Sequence, residues 1–171
     1  MLESLIQRTT TMQKTALLLA SFALCGASQA AVLTEKNISL EDARHLADAT
    51  VAACQAKGYN VTASVVDRAG VLKVLARADN AGPHTIEGSR LKAYTSVSAK
   101  SPTLAMMENA QKNPGAANLT DIPGFLLLGG GVPVKSGDTV IGAIGVAGAP
   151  GGHLDAQCAD TALQDNAARF K

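Results

Sequence analysis

Apolar and polar positions alternate along this chain with a period that changes, and the changes mark out its elements. Leu40, Ala43, Ala47, Thr50, Val51 and Cys54 recur at the spacing of one helical face. Ser39 precedes them as a cap, and Asp42 places a carboxylate beside the free amides of the first turn. Gly58 ends the run. From Asn60 to Val66 the period falls to two, with Val61, Ala63 and Val65 on one face, which predicts a strand. Asp67-Arg68-Ala69-Gly70 is a turn and Val71 to Ala76 the returning strand, so the stretch reads as a hairpin.

A loop from Arg77 to Pro83 follows, then a helix from Ile86 to Ala99. Ser101-Pro102 breaks that helix and starts a short one through Ala110. Asn113 to Gly124 holds few core-forming residues and reads as a long loop. Phe125 to Leu128 predicts an apolar strand, interrupted by Gly129-Gly130-Gly131 before a strand over Val132 to Lys135. Ser136-Gly137-Asp138 is a tight turn, Thr139 to Ala147 the next strand, and Leu154 to Ala168 the last helix. Two hairpins favour an antiparallel sheet over a doubly wound parallel one, an α/β fold of the α+β kind without internal repeats.

The first thirty residues change the picture of where this domain works. Lys14 leads into the uncharged run Thr15 to Cys25, and Ser28-Gln29-Ala30 supplies the small-x-small pattern that a signal peptidase reads. A start at Met12 would give a signal of ordinary length. The run falls short of the ~20 apolar residues that cross a bilayer as a helix. The expectation is a signal region over 1–30 and a single domain over 31–171, acting in the periplasm or outside the cell. The chain carries a formal charge of +1, and the domain without its signal is about neutral. Steering toward nucleic acid or an anionic membrane is therefore not expected. Cys54 and Cys158 remain in the domain, both among apolar helix positions. Export permits a disulfide between them. Burial as two free thiols is the simpler expectation, because cysteine packs readily as a small hydrophobe.

The glycine clusters carry neither a Walker loop nor a dinucleotide fingerprint. Glycine lets backbone amides approach an anionic or flat ligand, and the amides near Gly151 and Gly152 could cradle a carboxylate. Turns and close packing explain the same glycines equally well. The three histidines are dispersed and form no metal motif. His45 lies beside the apolar stripe of the first helix, and His153 opens the last helix. His84 follows Gly82-Pro83, which fixes the loop and leaves the imidazole near a helix start, a placement that suits an axial ligand to haem iron. Met106 and Met107 are core-fillers before they are axial ligands. Asp67, Arg77, Asp79, Arg90 and Lys92 offer charges that could pair with a small acid or with tetrapyrrole propionates, or simply solvate the scaffold. Tyr94 suits a ring contact, a proton donor or plain packing. No Ser-His-Asp series or zinc cluster is present.

Val65-Val-Asp-Arg-Ala-Gly70, Arg77-Ala-Asp79, Arg90-Leu-Lys-Ala-Tyr94, Leu127 to Pro133 and Val140 to Gly152, in that order, resemble the GlcG/HbpS-like family. That family includes the C-terminal domain of PduO-type proteins. The resemblance implies a profilin-like antiparallel sheet packed with helices, and assembly as dimers or larger homo-oligomers. It implies haem as cofactor in some exported members, for storage, sequestration or redox sensing. Other members accompany glycolate or diol utilisation. On this resemblance His84 is the expected axial ligand and metal-binding residue. Tyr94, Gly130 and Gly151 line the pocket, and Arg90 or Lys92 meets the propionates. Turnover is not expected. The alternative is an enzyme or accessory protein for a small hydroxy or oxo acid, with Asp67 or Asp79 as base and Arg77 or Arg90 on the carboxylate. A structural or partner-binding domain stands third.

Overall fold

Four strands form one antiparallel sheet in the computed structural model, which describes residues 31–171. The signal region expected over 1–30 lies outside the described residues. The compact unit runs Glu35–Lys171. Its strands are β1 (Thr62–Asp67), β2 (Leu72–Arg77), β3 (Gly131–Ser136) and β4 (Thr139–Ala147), in the spatial order β2-β1-β4-β3. Every neighbouring pair is antiparallel. Helices α1 (Leu40–Gln55) and α4 (Gly152–Asp165) cover one face, and α2 (His84–Ala99) crosses β1, β4 and β3 on the other. Helix α3 (Thr103–Lys112) and a 3-10 turn (Pro114–Asp121) carry the chain back to β3, and a second 3-10 turn (Ala167–Phe170) closes it. The expected mixed fold with an antiparallel sheet is the observed one.

The α1/α4 face follows from the period-two pattern. Ala63 and Val65 of β1, Val132 and Val134 of β3, and Ile144 and Val146 of β4 are buried against Ala43, Leu46 and Ala47 of α1 and Ala156, Ala159 and Ala162 of α4. Each branched side chain so buried contributes roughly 1.5–3 kcal/mol. Ser39 caps α1 as expected, its hydroxyl accepting from the Asp42 amide at 3.0 Å. Leu40, expected on the apolar face, is instead exposed, and Leu46 fills the core.

The cysteines correct the simpler expectation of free thiols. Cys54 of α1 and Cys158 of α4 are joined in a disulfide, with Cα atoms 5.3 Å apart. Both helices lie side by side on one face, and that neighbourhood joins residues 104 apart in sequence. A second correction concerns Phe125 to Leu128, which is not a strand. Side chains hold this segment in place of a ladder: the Thr95 hydroxyl accepts from the Leu126 amide at 2.8 Å, and the Thr103 hydroxyl donates to the Leu128 carbonyl at 2.7 Å.

The α2 face is built differently. Thr62, Ser64 and Val66 of β1 point toward α2, as the opposite faces of a strand require. The Thr62 and Thr85 hydroxyls lie 2.6 Å apart, and those of Ser64 and Ser89 2.7 Å apart. Ser64, Gly145 and Gly131 stand in one row across the sheet. A Cβ at Gly145 would lie 2.0 Å from the Ser89 carbonyl oxygen, and one at Gly131 2.3 Å from that of Lys92. The backbone of α2 therefore rests on the sheet itself.

Candidate functional site

Two helix starts meet at one end of the sheet and leave a cleft between them. Pro83 sets the entry to α2 and puts His84 at its first residue. The tight approach of α2 to the sheet then carries Gly88 and Lys92, one and two turns on, along the cleft. Opposite, β4 ends at Ala147 and Gly148–Gly151 turns the chain into α4, which brings Asp155 in from its first turn. Leu126 and Leu128, held by the two threonines, form the remaining wall. The cleft offers about 400 Å³ of space.

A buried ion pair borders this space. The Lys92 ammonium donates to Asp155 Oδ2 at 2.8 Å and to the Val146 carbonyl at 2.9 Å. The second Asp155 oxygen accepts from the Ala149 amide at 2.9 Å. Only 2% of the Lys92 side chain and 4% of that of Asp155 are exposed. Burial pushes the Asp155 carboxyl above the usual carboxylate range, against the opposing pull of the Lys92 ammonium and the Ala149 amide. Gly130 makes room for the pair. Its φ of +125° is open chiefly to glycine, and a Cβ there would sit 3.0 Å from Lys92 Nζ and 2.9 Å from Asp155 Cβ.

The residues singled out from sequence are thus divided. His84, Lys92 and Gly151 line the cleft together, and Gly130 lies behind the ion pair. His84 is exposed at the rim, and its imidazole makes no hydrogen bond among the described residues. Lys92, expected as an accessible cation, is instead consumed by Asp155. Arg90 is turned outward into an ion pair with Glu87 at 2.5 Å. Tyr94 packs elsewhere, edge-on to Phe125 and against the turn at Gly70. Asp67 holds its own turn by accepting from the Ala69 and Val71 amides, and Arg77 donates to the Ala81 carbonyl. Asp79 is exposed and lies outside the cleft. Among the described residues no three His, Cys, Asp or Glu side chains are grouped to hold a metal ion.

Asp155 escaped sequence reasoning. Its signal was an acid in the first turn of a helix that follows a glycine-rich loop, facing a lysine set among the small residues Ser89, Ala93 and Ser96.

A family model described as haem degrading protein HbpS-like matches residues 38–164. The chain belongs to the HbpS-like family. A crystal structure of HbpS is 39% identical, covers 78% of this chain and 93% of its own, and superposes with a TM-score of 0.74. The crystal structure of a PduOC:haem complex is 26% identical over 75% of this chain and 94% of its own, with a TM-score of 0.67. An uncharacterized 15.0 kDa protein from the dhaT-dhaS intergenic region of Citrobacter freundii is 34% identical over 130 residues, 74% of this chain and 89% of its own. The two crystal structures share the overall fold of this chain. No described helix is long and apolar enough to cross a membrane.

Proposed function

We propose that this HbpS-like chain binds haem or a related tetrapyrrole outside the cytoplasm, for storage, sequestration or redox sensing, and works as a homo-oligomer. The observation that carries the proposal is the exposed His84 imidazole on the rim of a cleft walled by Leu126, Leu128 and Pro150. A single imidazole suffices to hold haem iron, since the porphyrin itself would supply four nitrogen donors. The residues present fit such a group at its edge: apolar walls for the ring and an unengaged ring nitrogen for the iron. Bound haem would supply a redox-active iron there. Membership of the HbpS-like family and likeness to a protein crystallised with haem support the proposal. The buried disulfide supports export, because such bonds persist in oxidising compartments.

Haem titration of residues 31–171, aerobic and anaerobic, followed by native mass measurement, tests ligand, stoichiometry and assembly together. The expected result is a shifted Soret band in the native protein that His84→Ala abolishes with its far-ultraviolet circular dichroism unchanged. No Soret shift in the native protein overturns the haem assignment. An unchanged spectrum and affinity in His84→Ala overturns the ligand.

A further inference from the structure

Lys92 heads the fully buried side chains by volume, and nothing in haem binding at the rim uses it. We infer that Lys92 is a nucleophile that captures a small carbonyl compound, an aldehyde or an oxo acid, as a Schiff base in the cleft, with Asp155 as its proton shuttle.

The geometry is that of an activated nucleophile: an attacking group within hydrogen-bond reach of a base that a third group orients. Lys92 Nζ is the attacking atom, Asp155 Oδ2 the base at 2.8 Å, and the Ala149 amide fixes the other carboxylate oxygen at 2.9 Å. A purely structural pair has no need of an adjoining cavity, and apolar residues of like volume often serve stability as well. Here both side chains border about 400 Å³ of space, with Leu126 and Leu128 to receive a short carbon skeleton. Glycine at 130 keeps side-chain bulk away from Nζ.

The chemistry balances without a further reagent. Lys92 passes one proton to the Asp155 carboxylate, and its free amine adds to the carbonyl carbon. Asp155 returns the proton to the resulting alkoxide, giving a carbinolamine with a protonated nitrogen. It then takes a proton from that nitrogen and delivers it to the hydroxyl, which leaves as water. A protonated imine remains beside the Asp155 carboxylate, so the pair begins and ends with the same charges. The upward displacement of the Asp155 carboxyl by burial helps it hold the proton in transit.

The test is reductive trapping of the full chain with cyanoborohydride and either propanal or glyoxylate at limiting concentration, read by peptide mass mapping. Reduced adduct is expected on Lys92 ahead of the exposed Lys57, Lys100 and Lys112. The arm that saturates at lower concentration identifies an aldehyde or an oxo acid as the ligand source. Asp155→Asn is expected to slow labelling at Lys92 about tenfold or more while leaving the exposed lysines unchanged. An unlabelled Lys92 beside labelled surface lysines overturns the inference, and this outcome is read on the native chain, independent of any variant's folding. Equal labelling rates in native and folded Asp155→Asn protein remove Asp155 from its role. Haem titration and trapping fail separately, so a negative result in one leaves the other intact.

Discussion

The two faces of the sheet solve the same packing problem by opposite means. On the α1/α4 side, branched aliphatic residues and alanines fill space, and the Cys54–Cys158 disulfide ties the helices. On the α2 side, glycines and small hydroxyls let the helix backbone settle onto the strands, and Val66, Ala93, Val97 and Ala143, with Val140 beside them, form a small apolar cluster. The first face gains stability from area and can tolerate repacking. The second depends on close fit and on satisfied polar pairs, which cost several kcal/mol when half-broken. The cleft opens at one end of the sheet, where α2 brings His84 and Lys92 to meet the start of α4. A helix that rests directly on a sheet holds its side chains at fixed heights, and a site benefits from such fixity more than a core does.

The largest effect is expected at the ion pair. Lys92→Met leaves the Asp155 carboxylate buried beside apolar atoms, at a cost of about 3–5 kcal/mol in urea unfolding. The Lys92→Met/Asp155→Leu double substitution is expected to recover most of that loss, because neither charge then needs a partner. A single substitution without cost would show that the pair is not a structural element. Full recovery of stability together with loss of carbonyl trapping would separate what the pair does for folding from what it does in the cleft.

The disulfide comes next. Cys54→Ala/Cys158→Ala opens a covalent link across a separation of 104 residues and is expected to cost about 2–4 kcal/mol, read as a lower midpoint of thermal or urea unfolding. Because the link lies on the α1/α4 face, haem titration and trapping at temperatures below unfolding are expected to match the native protein. A changed cleft in the folded variant would mean that the two faces are coupled through α4, which carries both Cys158 and Asp155.

The α1/α4 face was legible in the sequence because periodicity reports burial of apolar residues. Ser39, Val61, Ala63, Val65 and the whole of Thr139–Ala147 fell where the pattern placed them. The α2 face was not, because Thr62, Ser64, Ser89 and Lys92 are buried polar residues and pattern rules assign such residues to solvent. Phe125 to Leu128 failed for the same reason in reverse: an apolar run implies a strand, but threonine side chains from α2 and α3 fix it as a loop. At the site, His84 and Gly151 could be found from a rigid loop and a glycine-rich helix start. Asp155 could not, since its importance rests on Lys92, 63 residues earlier and on another helix. The disulfide was placed second to free thiols because two cysteines far apart in a chain carry no distance information until α1 and α4 are seen side by side.

The smallest effect separates the two hydroxyls that join β1 to α2. Both protons are satisfied when Ser64 donates to Ser89 at 2.7 Å and Ser89 to the Ile86 carbonyl at 3.0 Å. Ser89→Ala thus strands a buried donor on Ser64 and is expected to cost about 1–3 kcal/mol. Ser64→Ala leaves the Ser89 proton bonded to Ile86 and strands only an acceptor lone pair, for about 0.5–1.5 kcal/mol. The double substitution removes donor and acceptor together and is expected to cost less than the sum, so a double-mutant cycle by urea unfolding should return a favourable coupling. Equal single costs with no coupling would show the hydroxyls to be fillers of volume, and would make the α2 face an ordinary core after all.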